Sequence, residues 1–418
     1  MVKLLAAVSF ALLASAVGGA AASPEAPLGF VGDSRSVRLA HLDPLTLVPT
    51  GPARLGVGSG GCASRRGGEA CWAAPPWAWS PDHRRLVVAG NTRFAAGTIR
   101  IVDPAGLRAT ASFRLAGGPV GAIAWPTPDR LLAVQETCCG EKQRLLVIDS
   151  GSGRVLARRA LGGSVVRLAR TRAGLVLLLA PARAIGPARL AVAGRLGELR
   201  IVPLPGLVAG TRLVSPGRFE LEQQLPGLAV DPVGVRAFVV GPHSTAVVDL
   251  RTLAVASHPL RRLAAAAKED RGSIRFARWL GDGLLAVTGE DDRPAGNTTA
   301  VQPAGLELVD TRSWSTRTID PDATAFTVAG DLLLATGTST TGLAVYGTRG
   351  RPRFRLLGGE QAWLALAYGG RAYVGVIRRD GVQEPLRVVD LHSGRIVGTR
   401  TTPLPVPVAG GAGSWWEQ

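Results

Sequence analysis

Five times in this chain an apolar run ends in Asp, passes through a short polar turn and resumes as a second run. The copies are TIRIVDPAGLR at Asp103, RLLVIDSGSGRVLA at Asp149, TAVVDLRTLAV at Asp249, LELVDTRSWST at Asp310 and LRVVDLHSGRIVG at Asp390. Each phrase describes a β-hairpin that cannot bury its faces alone, so the copies must stack on one another. A carboxylate that opens a turn accepts backbone N–H groups two residues on, and all five aspartates are read as turn formers. Weaker copies open at His41, Ala193 and Tyr346.

Removing inserted stretches leaves a unit of roughly forty residues, the length of one four-stranded propeller blade. Two further strands with a small turn between them precede most hairpins, as in WAWSPDHRRLVVAG, GAIAWPTPDRLLAVQE, IRFARWLGDGLLAVTG and WLALAYGGRAYVGVI. The expectation is an all-β chain: a single β-propeller of four-stranded blades, eight by repeat count, with seven the alternative. The N-terminal copy lacks an inner strand, and PLPVPVAGG near the C-terminus could supply it, closing the ring with strands from both ends. The only convincing helical stretch is RRLAAAAKEDR, from Arg261 to Arg271.

WSPDHRRLVVAG followed by TIRIVDPAGLRATASFRL, together with RLLVIDSGSGRVLARRAL, resembles the YVTN and WD40-like propeller repeats of exported bacterial proteins. The resemblance covers the mature chain at the level of the repeat. It implies a fold and leaves function open, because such propellers include enzymes, ligand binders and scaffolds. The Trp-Asp dipeptide of WD40 repeats is absent, as are the tryptophan docking positions of quinoprotein dehydrogenases.

The opening MVKLLAAVSFALLASAVGGAAAS has one cation at Lys3, an apolar run from Leu4 to Val17 and an A-x-A spacing at Ala20 and Ala22. It reads as a signal peptide over residues 1–22, cleaved near Ala22, with the propeller over 23–418 and a secreted or extracytoplasmic address. No other stretch reaches the roughly twenty apolar residues of a membrane span. The net charge of +17 is nearly all arginine, scattered as singles and pairs. No basic helix or aromatic-interleaved basic run appears, which argues against nucleic acid.

Four cysteines in an exported chain point to disulfides, and Cys62, Cys71, Cys138 and Cys139 are the candidates. Three connectivities are open. Bridges tying the glycine-rich loop of Cys62 and Cys71 to the loop of Cys138 and Cys139 are preferred, since that long loop needs fixing. The other pattern joins Cys62 to Cys71 and leaves a vicinal pair. Such a pair is similar to the ring beside the quinone of alcohol dehydrogenases that use pyrroloquinoline quinone, but their calcium carboxylates and catalytic aspartate find no match here.

No catalytic or metal constellation stands out. His41, His83, His243, His258 and His392 fall in or beside turns, and neither HExxH nor GxSxG occurs. Glu290, Asp291 and Asp292 open a long loop read as a solvated charged segment. With Trp72 and Trp77 they mark the face where a binding site is expected. The sequence therefore assigns no catalytic residue, cofactor or metal. It favours a monomeric binding or protein-interaction scaffold whose partner is a protein, a peptide or a cell-wall polyanion. The alternatives are a lactonase-like or quinoprotein-like propeller enzyme and a structural protein held at the cell surface by charge.

Overall fold

The computed structural model describes residues 28–32, 37–43, 48–51, 55–58, 61–65, 68–72, 75–91, 97–136, 143–171, 174–215, 220–260, 272–295, 298–337, 342–377, 386–400 and 406–407. Among them there is no helix, and none long and apolar enough to cross a membrane. The helical reading of 261–271 and the signal peptide lie outside the described residues.

The molecule is a β-propeller of four-stranded antiparallel blades, each running from an inner strand to an outer one. Six blades stand as separate four-stranded sheets, spanning 77–115, 120–160, 227–259, 325–356 and 361–400, plus a sheet at 28–58. This corrects the expectation of eight blades, or of seven. The remaining strands form one ten-stranded sheet, in which a 164–215 run and a 272–320 run each keep the four-strand order. They are joined because Leu199–Ser215 outgrows its blade, turns back through Glu220–Leu225, and that strand pairs in parallel with Gly272–Gly281 at Gln224 with Ser273 and Leu225 with Ile274. In the 28–58 sheet the inner strand comes from the far end of the chain: Val406–Pro407 pairs with Leu28–Gly32, Phe30 opposite Val406.

Burial follows strand position. Second and third strands are covered on both faces and read as continuous apolar runs, so every residue of Gly174–Ala180 is buried. Outer strands such as Val155–Ala160 face water along most of their length. Eight apolar clusters each draw on two neighbouring sheets or runs. One of them sets Ala40 and Leu42 of the first sheet against Tyr373 and Val388 of the last.

The repeated aspartates show why the hairpin phrase is so regular. Asp149, Asp249, Asp310 and Asp390 each accept the backbone N–H three residues on, from Ser152, Thr252, Ser313 and Ser393, and Asp103 accepts those of Ala105 and Gly106. Four residues after each Asp the backbone turns left-handed, at Leu107, Gly153, Leu253, Trp314 and Gly394. Leu253 and Trp314 are held in that conformation by donating to the Asp carbonyl across a turn that the carboxylate also bonds. Two of the weaker copies use a tighter turn opened by Gly194 and Gly347, one residue beyond the Ala193 and Tyr346 expected from sequence.

Candidate functional site

The blades share a register, so equivalent positions can be compared directly. Take the third-strand residue just before the turn opener, cross to its second-strand partner, and cross again to the inner strand. Val102, Leu86 and Trp79 line up in the 77–115 sheet, and Val309, Leu285 and Trp279 in the 272–320 run. The same walk gives Arg170, Val230, Val328 and Ala367 in other blades. Trp125 falls at this level in the 120–160 sheet, within an irregularity between Ala124 and Thr127.

Each of these inner-strand residues packs toward the preceding blade. Between the 77–115 and 120–160 sheets, Trp125 is buried and Arg85 lies over its ring at 5.0 Å. Between the 227–259 sheet and the 272–320 run, Trp279 stacks on Phe238 at 5.2 Å and 16°, with Arg236 5.9 Å from its ring. Arg85 and Arg236 occupy matching positions, immediately before Leu86 and Ala237. Each of these junctions thus carries one Arg–Trp pair, a cation over a ring that is buried at Trp125 and partly buried at Trp279.

Between the 325–356 and 361–400 sheets the same two positions hold Leu332 and Ala367. Here a cleft of about 860 Å³ opens. Its floor is Val328, Ala329, Leu332, Phe354, Ala367 and Leu391, and its rim carries Asp331, Arg353, Tyr368, His392 and Ser393. Three rim glycines widen it: a Cβ at Gly330, Gly369 or Gly370 would meet nothing within 4 Å, and all three have positive φ, which favours glycine. Arg353 and Asp331 pair at 4.0 Å with side chains 57% and 80% exposed, so the contact is loose and exchangeable. Burial raises the Tyr368 phenol, keeping it a neutral hydrogen-bonding group. The Ser393 hydroxyl donates to Asp390 and so serves the turn.

The centre of the molecule is crossed by cations instead. Arg170 donates to the carbonyls of Trp77, at 2.9 Å, and Ile123, at 2.7 Å, tying three inner strands together. Arg167, which lies over Phe276 at 5.0 Å, donates to the Arg275 carbonyl at 3.1 Å. Arg275 is fully buried and pairs with Asp291 at 2.8 Å while donating to the Ile274 and Glu290 carbonyls. Gly289, opposite Arg275, leaves it room, since a Cβ there would run into the Ile274 carbonyl oxygen. A buried pair held in this way fixes geometry; removing one partner strands a charge.

The expected site residues are scattered relative to the cleft. Glu290, Asp291 and Asp292 sit in the strand Leu284–Ala295, which continues into a hairpin with Thr298–Pro303, so the reading of a solvated loop is corrected. Asp291 is fully buried by its bond to Arg275. Trp77 is buried against Phe30, Val37 and Leu39 between the first two sheets. Trp72 lies in Gly68–Trp72, whose backbone pairs with Gly61–Arg65, Cys71 opposite Cys62. Cys138 and Cys139 lie outside the described residues. Among the described residues no group of three or more His, Cys, Asp or Glu could hold a metal ion. The cleft sits where first meets second strand and third meets fourth, the opposite edge from the long loops to which the sequence pointed. One available signal for it is that Ala367 is the smallest residue at a position where the repeats otherwise carry Trp, Arg or Val.

No known family's sequence model matches this chain, and no curated protein's sequence matches it either. Among solved structures it is similar to the dihydro-heme d1 dehydrogenase NirN in complex with DHE, with a TM-score of 0.55 and 14% identity over 91% of this chain and 74% of that one. BamB from Moraxella catarrhalis matches at 0.44 and 12%, over 85% of this chain and 90% of that one. The Dos1 propeller matches at 0.45 and 12%, over 80% and 85% respectively. At such identities the likeness is one of fold.

Proposed function

We propose that this chain is an exported propeller that acts as a binding or interaction scaffold, with the cleft between the 325–356 and 361–400 sheets as its recognition site. One observation carries the reading: the two positions that hold Arg85 with Trp125 and Arg236 with Trp279 at two other junctions hold Leu332 and Ala367 here, where a half-apolar, polar-rimmed concavity lies. Export rests on the signal-like first residues. A ring closed by both chain ends is supported by the pairing of Phe30 with Val406 and by the cluster of Ala40, Leu42, Tyr373 and Val388. Closure leaves a blade without open edges, which suits a rigid platform.

The backbone register of Cys62 and Cys71 supports a bridge within their hairpin, because directly paired antiparallel residues have Cα separations in the disulfide range. Peptide mass mapping under non-reducing conditions tests this, and a Cys62–Cys138 or Cys62–Cys139 linkage would replace it with the cross-linked pattern.

The scaffold reading is tested by selecting a displayed random-peptide library against the intact chain and against Ala367→Trp. Enriched peptides should be lost on the variant. Peptides retained equally by both would remove the cleft from the function. Retention that vanishes only as salt rises would favour attachment by charge instead.

A further inference from the structure

Resting on the scaffold reading, we propose that the cleft takes an aromatic side chain, an indole above all, from a peptide partner in which an acidic residue follows the ring. The molecule itself shows what fills such a junction. Trp125 under Arg85 and Trp279 under Arg236 occupy the sites equivalent to the cleft, each ring between an apolar wall and a guanidinium. Cutting the ring back to Ala367 and the cation back to Leu332 leaves the wall in place: Leu332, Phe354 and Leu391 still line the cavity. An incoming indole would meet Phe354, which comes from the outer strand Pro352–Leu356, in the kind of ring contact that Trp279 makes with Phe238 of a second strand.

The cation also survives, moved to the rim. Arg353 borders the cleft with His392, and its pair with Asp331 is long and exposed enough to yield to a better carboxylate. A chain of net charge +17 favours acidic over basic segments at long range. The ring supplies affinity through burial, and the carboxylate supplies orientation, since a rim charge works mainly through approach and register.

The test uses the full chain and the fluorescein-labelled peptide Gly-Ser-Gly-Trp-Glu-Gly-Ser, followed by fluorescence anisotropy. Replacing its Trp by Ala should weaken binding by about tenfold or more, the loss of one buried ring. Replacing its Glu by Gln should weaken it by about threefold and flatten its salt dependence, and Arg353→Ala should bring the Glu peptide down to the Gln peptide's level. Ala367→Trp should abolish binding with its melting temperature held. Leu332→Arg, which places a cation in the floor, is the second occluding variant should the first fail to fold.

Equal binding of the Trp and Ala peptides overturns the proposal, and so does unchanged binding to both occluding variants. If the peptide binds only after 408–418 is removed, the occupant is the chain's own segment carrying Trp415, Trp416 and Glu417, and a partner peptide is ruled out. Library peptides lost on Ala367→Trp but lacking aromatic residues would defeat this inference while leaving the scaffold reading intact.

Discussion

The junction between the 227–259 sheet and the 272–320 run and the junction between the 325–356 and 361–400 sheets are built on one register and hold contrasting side chains at two matched positions. Arg236 with Trp279 closes the first; Leu332 with Ala367 leaves the second open. In a repeated scaffold a site can arise by deletion, through a small residue where other copies place a large one, and the rest of the blade remains intact because its own second and third strands hold it.

The sharpest way to break this contrast is to open a closed junction. Trp125→Ala removes a buried ring from beneath Arg85 and should lower unfolding free energy by about 4 kcal/mol, read from urea denaturation. A fall below about 1 kcal/mol would mean that Arg–Trp pairs do not close junctions and that the cleft needs another cause. Next comes the contrast in ion pairs. Asp291→Ala strands the buried Arg275 guanidinium and should cost about 3 kcal/mol, whereas Asp331→Ala, at the exposed cleft rim, should leave the denaturation midpoint unchanged. Equal effects would erase the distinction between centre and rim.

Closing the open junction is the converse experiment. Ala367→Trp should fold with a melting temperature at or slightly above that of the parent, a gain of about 1 kcal/mol at most, because the ring enters space already present. A loss of several degrees would show that the cleft walls cannot receive a ring.

The smallest effect separates the turns that flank the two junctions. Asp249 and Asp310 flank the closed one, and their carboxyls are held below the usual 3.8, chiefly by the backbone N–H groups of Thr252 and Arg312. Stability from such a group is fully present above its unfolded pKa and is lost as pH falls through its lowered folded value. The melting temperature should therefore drop on acidification below about pH 4, and Asp249→Asn with Asp310→Asn should flatten that drop. Beside the cleft only one turn is of this kind, opened by Asp390, whose carboxyl is held low chiefly by the Ser393 backbone N–H; the Gly347-opened turn has no carboxylate at this position and contributes nothing to the slope.

Much of this architecture is legible in the chain. Strands covered on both faces must be apolar throughout, and the Asp-opened turn repeats because one set of backbone bonds recurs, so both leave marks that survive sequence drift. The fused ten-stranded sheet does not, since Leu199–Ser215 differs from an inserted loop only in its late pairing with Glu220–Leu225. The acidic triplet misleads for a related reason: charge suggests water, but Arg275 lies across the sheet and draws Asp291 inward. The cleft was hidden because Ala367 is unremarkable alone. Trp363, in the same strand, holds the eye, and only register shows that Ala367 stands where Trp279 does.

The first sheet has a consequence for how the molecule comes into being. Leu28–Gly32 is synthesised before every other described strand, yet its inner neighbour, Val406–Pro407, follows them all. At ordinary elongation rates the two are separated by on the order of half a minute. Throughout that interval the edge of Leu28–Gly32 is open to any strand that reaches it, including the Val406 segment of another copy. A newly made chain therefore faces a choice between completing itself and exchanging ends with its neighbour, and crowding on the ribosome or at a membrane should tilt that choice toward exchange.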